Sequence, residues 1–254
     1  MNDIFLKRLL KIGSVAVIYY ISARLGLLLA LGHTNASPVW PPSGFAFAAI
    51  LILGFEVWPG ILIGAFIANI VVFLANKAAG LNSVLPVSAL IASGNTLEAI
   101  AGYYLIRWFR SEQILTRTKD FSFFILTALL MCLISCSIGT TSLVEGNIIN
   151  WGNYKSVWFT WWMGDVSGII VLTPVLLSCW NFFRKDYSFP KPLHFAAIFI
   201  VLLVYLMALF NGWLSAIPGQ TSIYLVLIIL IWCVFSIQQW QSSLLVILIA
   251  SFSI

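Results

Sequence analysis

Apolar residues along this chain form long stretches that are separated by short polar connections. About eight of these stretches predict membrane-embedded helices, because a helix of about 20 apolar residues crosses the ~30 Å hydrocarbon core of a bilayer. They cover residues 5–31, 43–55, 59–76, 84–108, 121–144, 156–183, 193–210 and 221–237, and an incomplete ninth segment opens at Leu244. The pattern predicts an all-α integral membrane protein, built as a polytopic helical bundle.

The second and third stretches, 43–55 and 59–76, predict a short or broken helix pair. At the helical rise of 1.5 Å per residue, the first of them reaches only about 20 Å. It follows Trp40-Pro41-Pro42, and Pro59-Gly60 opens the next stretch. The segment either crosses the membrane or re-enters it, and both arrangements leave the downstream topology unchanged. Short segments interrupted by proline and glycine are typical of broken helices that build binding sites.

Composition supports one membrane-embedded domain over residues 1–254. Hydrophobic residues make up 61% of the chain and charged residues 8%, whereas a soluble domain has about 25% charged residues. The first stretch is longer than the apolar core of a signal peptide, so we expect it to be retained. Lys7, Arg8 and Lys11 open the first stretch, and further basic residues follow the fourth and sixth stretches, which predicts a cytoplasmic amino terminus.

Three charged residues lie well inside the apolar stretches: Arg24, Glu98 and Asp165. A charge in a membrane span is costly and usually serves a cavity, a partner or a ligand. Arg24 and Asp165 are about 10 and 14 Å from the same, outer end of their helices, so we predict that they form an ion pair. Glu98 is closer to the inner face. It could be a protonated helix contact, a proton carrier or a cation ligand.

Polar and aromatic residues at similar depth complete a candidate ligand site in the outer half of the bundle. Ser43 and Gly44 fall in the first turn of a helix, where free N–H groups suit an anion or a polar ligand, although the segment could also be only a rigid helix entry. Asn95 shares a helix face with Glu98, and Trp161 shares one with Asp165. The predicted ligand-binding residues are Arg24, Trp40, Ser43, Gly44, Asn69, Asn95, Glu98, Trp161 and Asp165.

Sequence motifs for catalysis are absent. The chain has no phosphate-binding loop, paired-histidine metal motif or serine nucleophile elbow. We therefore expect no enzyme activity, no cofactor, no metal site and no nucleic-acid partner. The small residues Gly60 and Gly64 are four apart and predict close helix packing. Cys132 and Cys136, on one helical face, are expected to pack in the core.

Four motifs occur in order along the chain: Ser37-Pro38-Val39-Trp40-Pro41-Pro42-Ser43-Gly44, Val57-Trp58-Pro59-Gly60, Gly94-Asn95-Thr96-Leu97-Glu98-Ala99 and Trp161-Trp162-Met163-Gly164-Asp165. Together they resemble the first type of bacterial membrane-associated sensor domain, MASE1. The resemblance implies a multi-span sensor in the bacterial cytoplasmic (inner) membrane. In the family this sensor usually precedes a cytoplasmic histidine kinase, diguanylate cyclase or cyclic-di-GMP phosphodiesterase domain, none of which lies within residues 1–254. The family often has an Arg-aromatic-Gly stretch after the eighth span, where this chain has Gln238-Gln239-Trp240-Gln241.

The sequence thus predicts a sensory input domain that contacts the lipid bilayer and binds a small molecule or a lipid. We expect it to form a homodimer and to relay occupancy to a cytoplasmic effector domain in cis or to a membrane partner. Two alternatives stay open. Short broken helices and buried charges also mark transporters and substrate-capturing membrane subunits, and the helices could instead bind another membrane protein as a structural partner.

Overall fold

The structure is a computed structural model that describes residues 2–28, 39–109, 118–184 and 192–211, together with positions 241, 244, 245 and 248. The described residues form seven α-helices and two single 3₁₀ turns, Phe55–Val57 and Trp151–Asn153. The helices are α1 (Asn2–Leu28), α2 (Pro41–Leu53), α3 (Trp58–Ala75), α4 (Leu81–Trp108), α5 (Thr118–Glu145), α6 (Tyr154–Arg184) and α7 (Pro192–Phe210).

All seven helices coincide with predicted stretches, and their ends differ by three residues at most. Four described segments are long and apolar enough to cross a membrane, namely 55–75, 81–108, 120–145 and 151–180, while α2 and residues 195–208 are shorter apolar helices. The predicted eighth stretch, 221–237, lies outside the described residues. The structure therefore confirms a helical membrane architecture, without testing the count of eight spans.

The short helix pair is present as α2 and α3. Pro41 and Pro42 open α2, where proline fits because the first turn has no intrahelical partner for its N–H groups. Gly54 ends the helix with φ of +92°, a backbone conformation that favours glycine. One 3₁₀ turn then leads directly into α3 at Trp58.

Two compact units divide the chain, residues 1–173 and 174–254. The first unit contains an apolar cluster around Tyr19, Ile50 and Ile61 and another around Phe47, Phe124 and Ile169. In the second unit, buried leucine and isoleucine side chains of α7 pack with Leu245.

Helix α3 packs closely on α1 through Gly60 and Gly64, as the small-residue pattern predicted. A Cβ atom on Gly60 would overlap the carbonyl oxygen of Ile12, and one on Gly64 would overlap that of Ala16. The two backbones therefore approach as closely as glycine permits. This contact fixes α1 beside the helices that carry the candidate site.

Candidate ligand site around Asp165

The start of α2 rests directly on the backbone of α6. The amide N–H of Trp40 donates a 2.8 Å hydrogen bond to the carbonyl oxygen of Gly164, and Thr173 Oγ1 donates one of 2.9 Å to the carbonyl oxygen of Gly44. A Cβ on Gly44 would overlap the carbonyl oxygen of Gly168, and one on Gly168 would overlap that of Trp40. Both glycines are thus required by backbone contact.

Asp165 lies at this junction, and its side chain is completely buried. Ser43 Oγ of α2 donates a 2.9 Å hydrogen bond to Oδ1, and Ser135 Oγ of α5 donates one of 2.7 Å to Oδ2. A buried carboxylate is tolerated only when its oxygens accept such bonds. Three helices are therefore tied together at this one side chain.

Glu98 of α4 adds a second carboxyl group to the junction. It is 1% exposed, and its carboxyl group lies close enough to that of Asp165 for the two to interact electrostatically. Glu98 Oε2 has no hydrogen-bond partner among the described residues. The acidic pair thus has spare acceptor capacity in the core of the bundle.

The predicted ion pair between Arg24 and Asp165 is wrong. Both oxygens of Asp165 are bonded to serines, and the side chain of Arg24 is exposed. Among the residues that the structure describes, the ion pairs join Glu56 to Arg8 and to Lys11. Depth along a helix does not tell on which face of α1 the guanidinium lies, and Glu98, which was placed nearer the inner face, is the charged residue that lies beside Asp165.

A cavity of about 200 Å³ lies beside Asp165, between the end of α1, the starts of α2 and α6, and parts of α3 to α5. Four aromatic side chains line it: Tyr19, Trp40, Phe73 and Trp161. Its polar lining consists of Asn69, Asn95, Thr160 and Asp165. The rest of the described wall is mainly aliphatic. A mainly apolar pocket with a few placed polar groups is the usual form of a small-molecule site.

Five of the nine predicted site residues line this cavity: Trp40, Asn69, Asn95, Trp161 and Asp165. The other four do not line it. Ser43 is hydrogen-bonded to Asp165 and Glu98 lies beside it, Gly44 packs on the backbone of α6, and Arg24 is exposed. The positive end of α2, which was predicted to suit an anion, thus faces a carboxylate of the protein itself.

Two residues that build the site were missed by the sequence analysis, Tyr19 and Ser135. Asn95 Nδ2 donates a 3.1 Å hydrogen bond to the hydroxyl of Tyr19, while Asn95 Oδ1, in a side chain that is 4% exposed, has no partner among the described residues. Tyr19 belongs to a buried face of α1 with Val15 and Ala23, and that helical spacing was a usable signal. Ser135 gave no signal beyond its polarity in an apolar helix.

A bundle of apolar helices long enough to cross a membrane defines an integral membrane protein, and its buried carboxyl groups lie beside an internal cavity with aromatic and polar walls. The MASE1 family model matches residues 12–254. The chain belongs to this family of membrane-associated sensor domains, so it is a sensory module and not a catalytic one. No match is found among curated proteins or solved structures.

Proposed function

We propose that this domain is the sensory input module of a bacterial signalling protein and that its stimulus is a small molecule or a lipid bound in the cavity beside Asp165. The unpartnered oxygen of Asn95 in the cavity wall carries this proposal. Buried polar atoms are nearly always hydrogen-bonded, so an acceptor left open towards a cavity indicates a missing donor. The aromatic wall supplies the apolar contact that a small molecule needs.

The cavity is placed so that its occupant can bias helix packing. Its wall combines residues of the five helices α1, α3, α4, α5 and α6 with Trp40, which directly precedes α2. An occupant shifts such a bundle between two arrangements only by binding one of them more tightly. The output is a cytoplasmic histidine kinase or cyclic-di-GMP enzyme, in cis or through a membrane partner, and the domain acts as a homodimer. It lies in the cytoplasmic membrane with its amino terminus inside, which places the cavity in the outer half.

Co-purification tests the proposal directly. The 254-residue chain is purified in detergent, and the bound small molecules are identified by native mass spectrometry. Val72→Phe fills the cavity, because Val72 lines it. Val17→Phe is the matched control, because Val17 is 58% exposed on α1. A molecule retained by the wild type and by Val17→Phe but lost from Val72→Phe supports a ligand site. The same occupancy in all three proteins, or in none, contradicts it.

A solute transporter or substrate-capturing subunit is the second candidate, and the broken pair of α2 and α3 next to a buried carboxyl pair favours it. Proteoliposomes separate the two candidates. Uptake of the co-purified molecule against an empty-liposome blank indicates a transporter, whereas binding without uptake indicates a sensor. A structural partner role would instead give a co-purified membrane protein and an empty cavity.

A further inference from the structure

The electrostatic character of the cavity is acidic. Among the described residues, its lining contains the carboxyl group of Asp165 and no lysine, arginine or histidine. The carboxyl group of Glu98 lies beside that of Asp165. A carboxylate attracts a cation and repels an anion, and both effects strengthen as water is excluded. The site therefore favours a positively charged occupant over an anion.

The aromatic walls suit the same kind of ligand. Trp40, Trp161 and Tyr19 all line the cavity within the layer of Asp165. The faces of aromatic rings carry partial negative charge and attract ammonium groups, most strongly once these are removed from water. Rings next to a carboxylate are a recurrent way of holding an organic cation, because they contact both its charge and its apolar body.

Asn95 favours an occupant that can donate a hydrogen bond. Its Oδ1 atom lacks a donor among the described residues, while its Nδ2 atom is engaged by the hydroxyl of Tyr19. Asn95 lines the cavity and is 4% exposed. An N–H group of a bound amine would supply the missing hydrogen bond, whereas a carboxylate would place acceptor against acceptor.

We infer that the cavity binds a small protonated amine with an apolar body, roughly the size of a single aromatic ring with a short side chain. The inference rests on the proposed function and specifies its ligand class. The volume of about 200 Å³ sets the size, since an apolar cavity of about 150 Å³ holds benzene. The ammonium group lies towards Asp165 and Asn95, and the apolar body lies between the aromatic and aliphatic walls.

Three probes of matched size test the charge preference: phenethylamine, 2-phenylethanol and phenylacetate. The full 254-residue chain is placed in nanodiscs of uncharged lipid, and binding is measured by equilibrium dialysis with empty nanodiscs as the blank. We expect phenethylamine to bind about tenfold tighter than 2-phenylethanol, and phenylacetate to bind most weakly. Equal binding of the amine and the alcohol, or tightest binding of phenylacetate, overturns the inference.

Substitutions at Asp165 and Asn95 test whether these residues cause the preference for the amine. Asp165→Asn removes the carboxyl group while keeping a side chain that can hydrogen-bond to both serines. In this variant we expect the affinities for phenethylamine and 2-phenylethanol to differ by no more than about threefold. Asn95→Leu is expected to weaken the binding of phenethylamine about tenfold. Ser93→Ala, an exposed change on the same helix, is the control and should leave binding unchanged. An amine preference that survives Asp165→Asn also overturns the inference.

The failure of this inference and that of the proposed function can be told apart. If the amine and the alcohol bind equally and both are lost in Val72→Phe, the cavity is a ligand site of another class, and only the inference fails. If none of the three probes binds saturably and no molecule co-purifies with the wild type, both fail.

Discussion

Ser43 and Asp165 are joined by a 2.9 Å hydrogen bond although 122 residues separate them in the chain. Ser135 donates to the second oxygen of the same carboxylate at 2.7 Å. One buried acidic side chain therefore connects α2, α5 and α6. This arrangement stabilises the fold and also sets the charge beside the cavity.

Loss of either serine hydroxyl should destabilise the domain. Ser43→Ala and Ser135→Ala are each expected to lower the free energy of unfolding by about 1.5–3 kcal/mol, because each leaves a buried carboxylate oxygen without its donor. Unfolding by denaturant titration in mixed micelles measures the change. Ser93→Ala, whose hydroxyl bonds to the Ala89 carbonyl on the exposed side of α4, should change it by less than about 0.5 kcal/mol. Equal losses of stability in all three variants would show that the two hydrogen bonds to Asp165 contribute nothing specific to the fold.

The contact between α2 and α6 should not accept a side chain at Gly168. We expect Gly168→Ala to cost about 3 kcal/mol or more, because the new Cβ atom would overlap the rigid carbonyl of Trp40. Gly13→Ala on α1 is the matched control, since nothing lies within 4 Å of the added atom. That change should be neutral or stabilise by up to about 1 kcal/mol, as alanine favours a helix. Thermal unfolding of the purified proteins compares the two.

Tyr19 and Asn95 should be energetically coupled through their 3.1 Å hydrogen bond. Tyr19→Phe leaves the buried amide without its partner and is expected to cost about 1–3 kcal/mol. In a double-mutant cycle with Asn95→Leu, the two changes together should cost less than the sum of the single changes, by at least about 0.5 kcal/mol. Strict additivity would show that the bond does not contribute to stability.

Arg24 should be energetically independent of Asp165. Arg24 is exposed and shares no partner with the buried carboxylate, so Arg24→Ala and Asp165→Ala should be additive within about 0.5 kcal/mol. Asp165→Ala alone should be strongly destabilising, because it leaves the buried hydroxyl of Ser43 without its acceptor and opens a cavity in the core. A coupling energy of about 2 kcal/mol or more between positions 24 and 165 would show that the two side chains do form an ion pair.

Helix positions were predictable from the sequence because each depends mainly on a local run of apolar residues. The turn between α2 and α3 was signalled by Pro59 and Gly60, and the close packing of α3 by Gly60 and Gly64. Asn95 and Trp161 were expected near each other, and they line the same cavity. Depth from the constant rise along a helix was a poorer guide, because it paired Asp165 with Arg24 and not with Glu98.

The partners of buried side chains were less predictable, because the position of a residue along a helix does not tell how the helix is rotated about its own axis. Arg24 follows Val15 by nine residues, about two and a half turns, and so lies opposite the buried face that Val15, Tyr19 and Ala23 share. That periodicity was available in the sequence and argues against an inward arginine. The choice of Ser135 as a partner of Asp165 depends on how α5 packs, and no local pattern specifies it.

The hydrogen bond from the amide N–H of Trp40 to the carbonyl oxygen of Gly164, together with the backbone contact between Gly44 and Gly168, makes α2 and the first half of α6 move as one rigid unit. A force that displaces α6 pulls the beginning of α2 along with it. Any movement that enlarges or closes the chamber must then come from α1, α3, α4 or α5 sliding past this fixed pair.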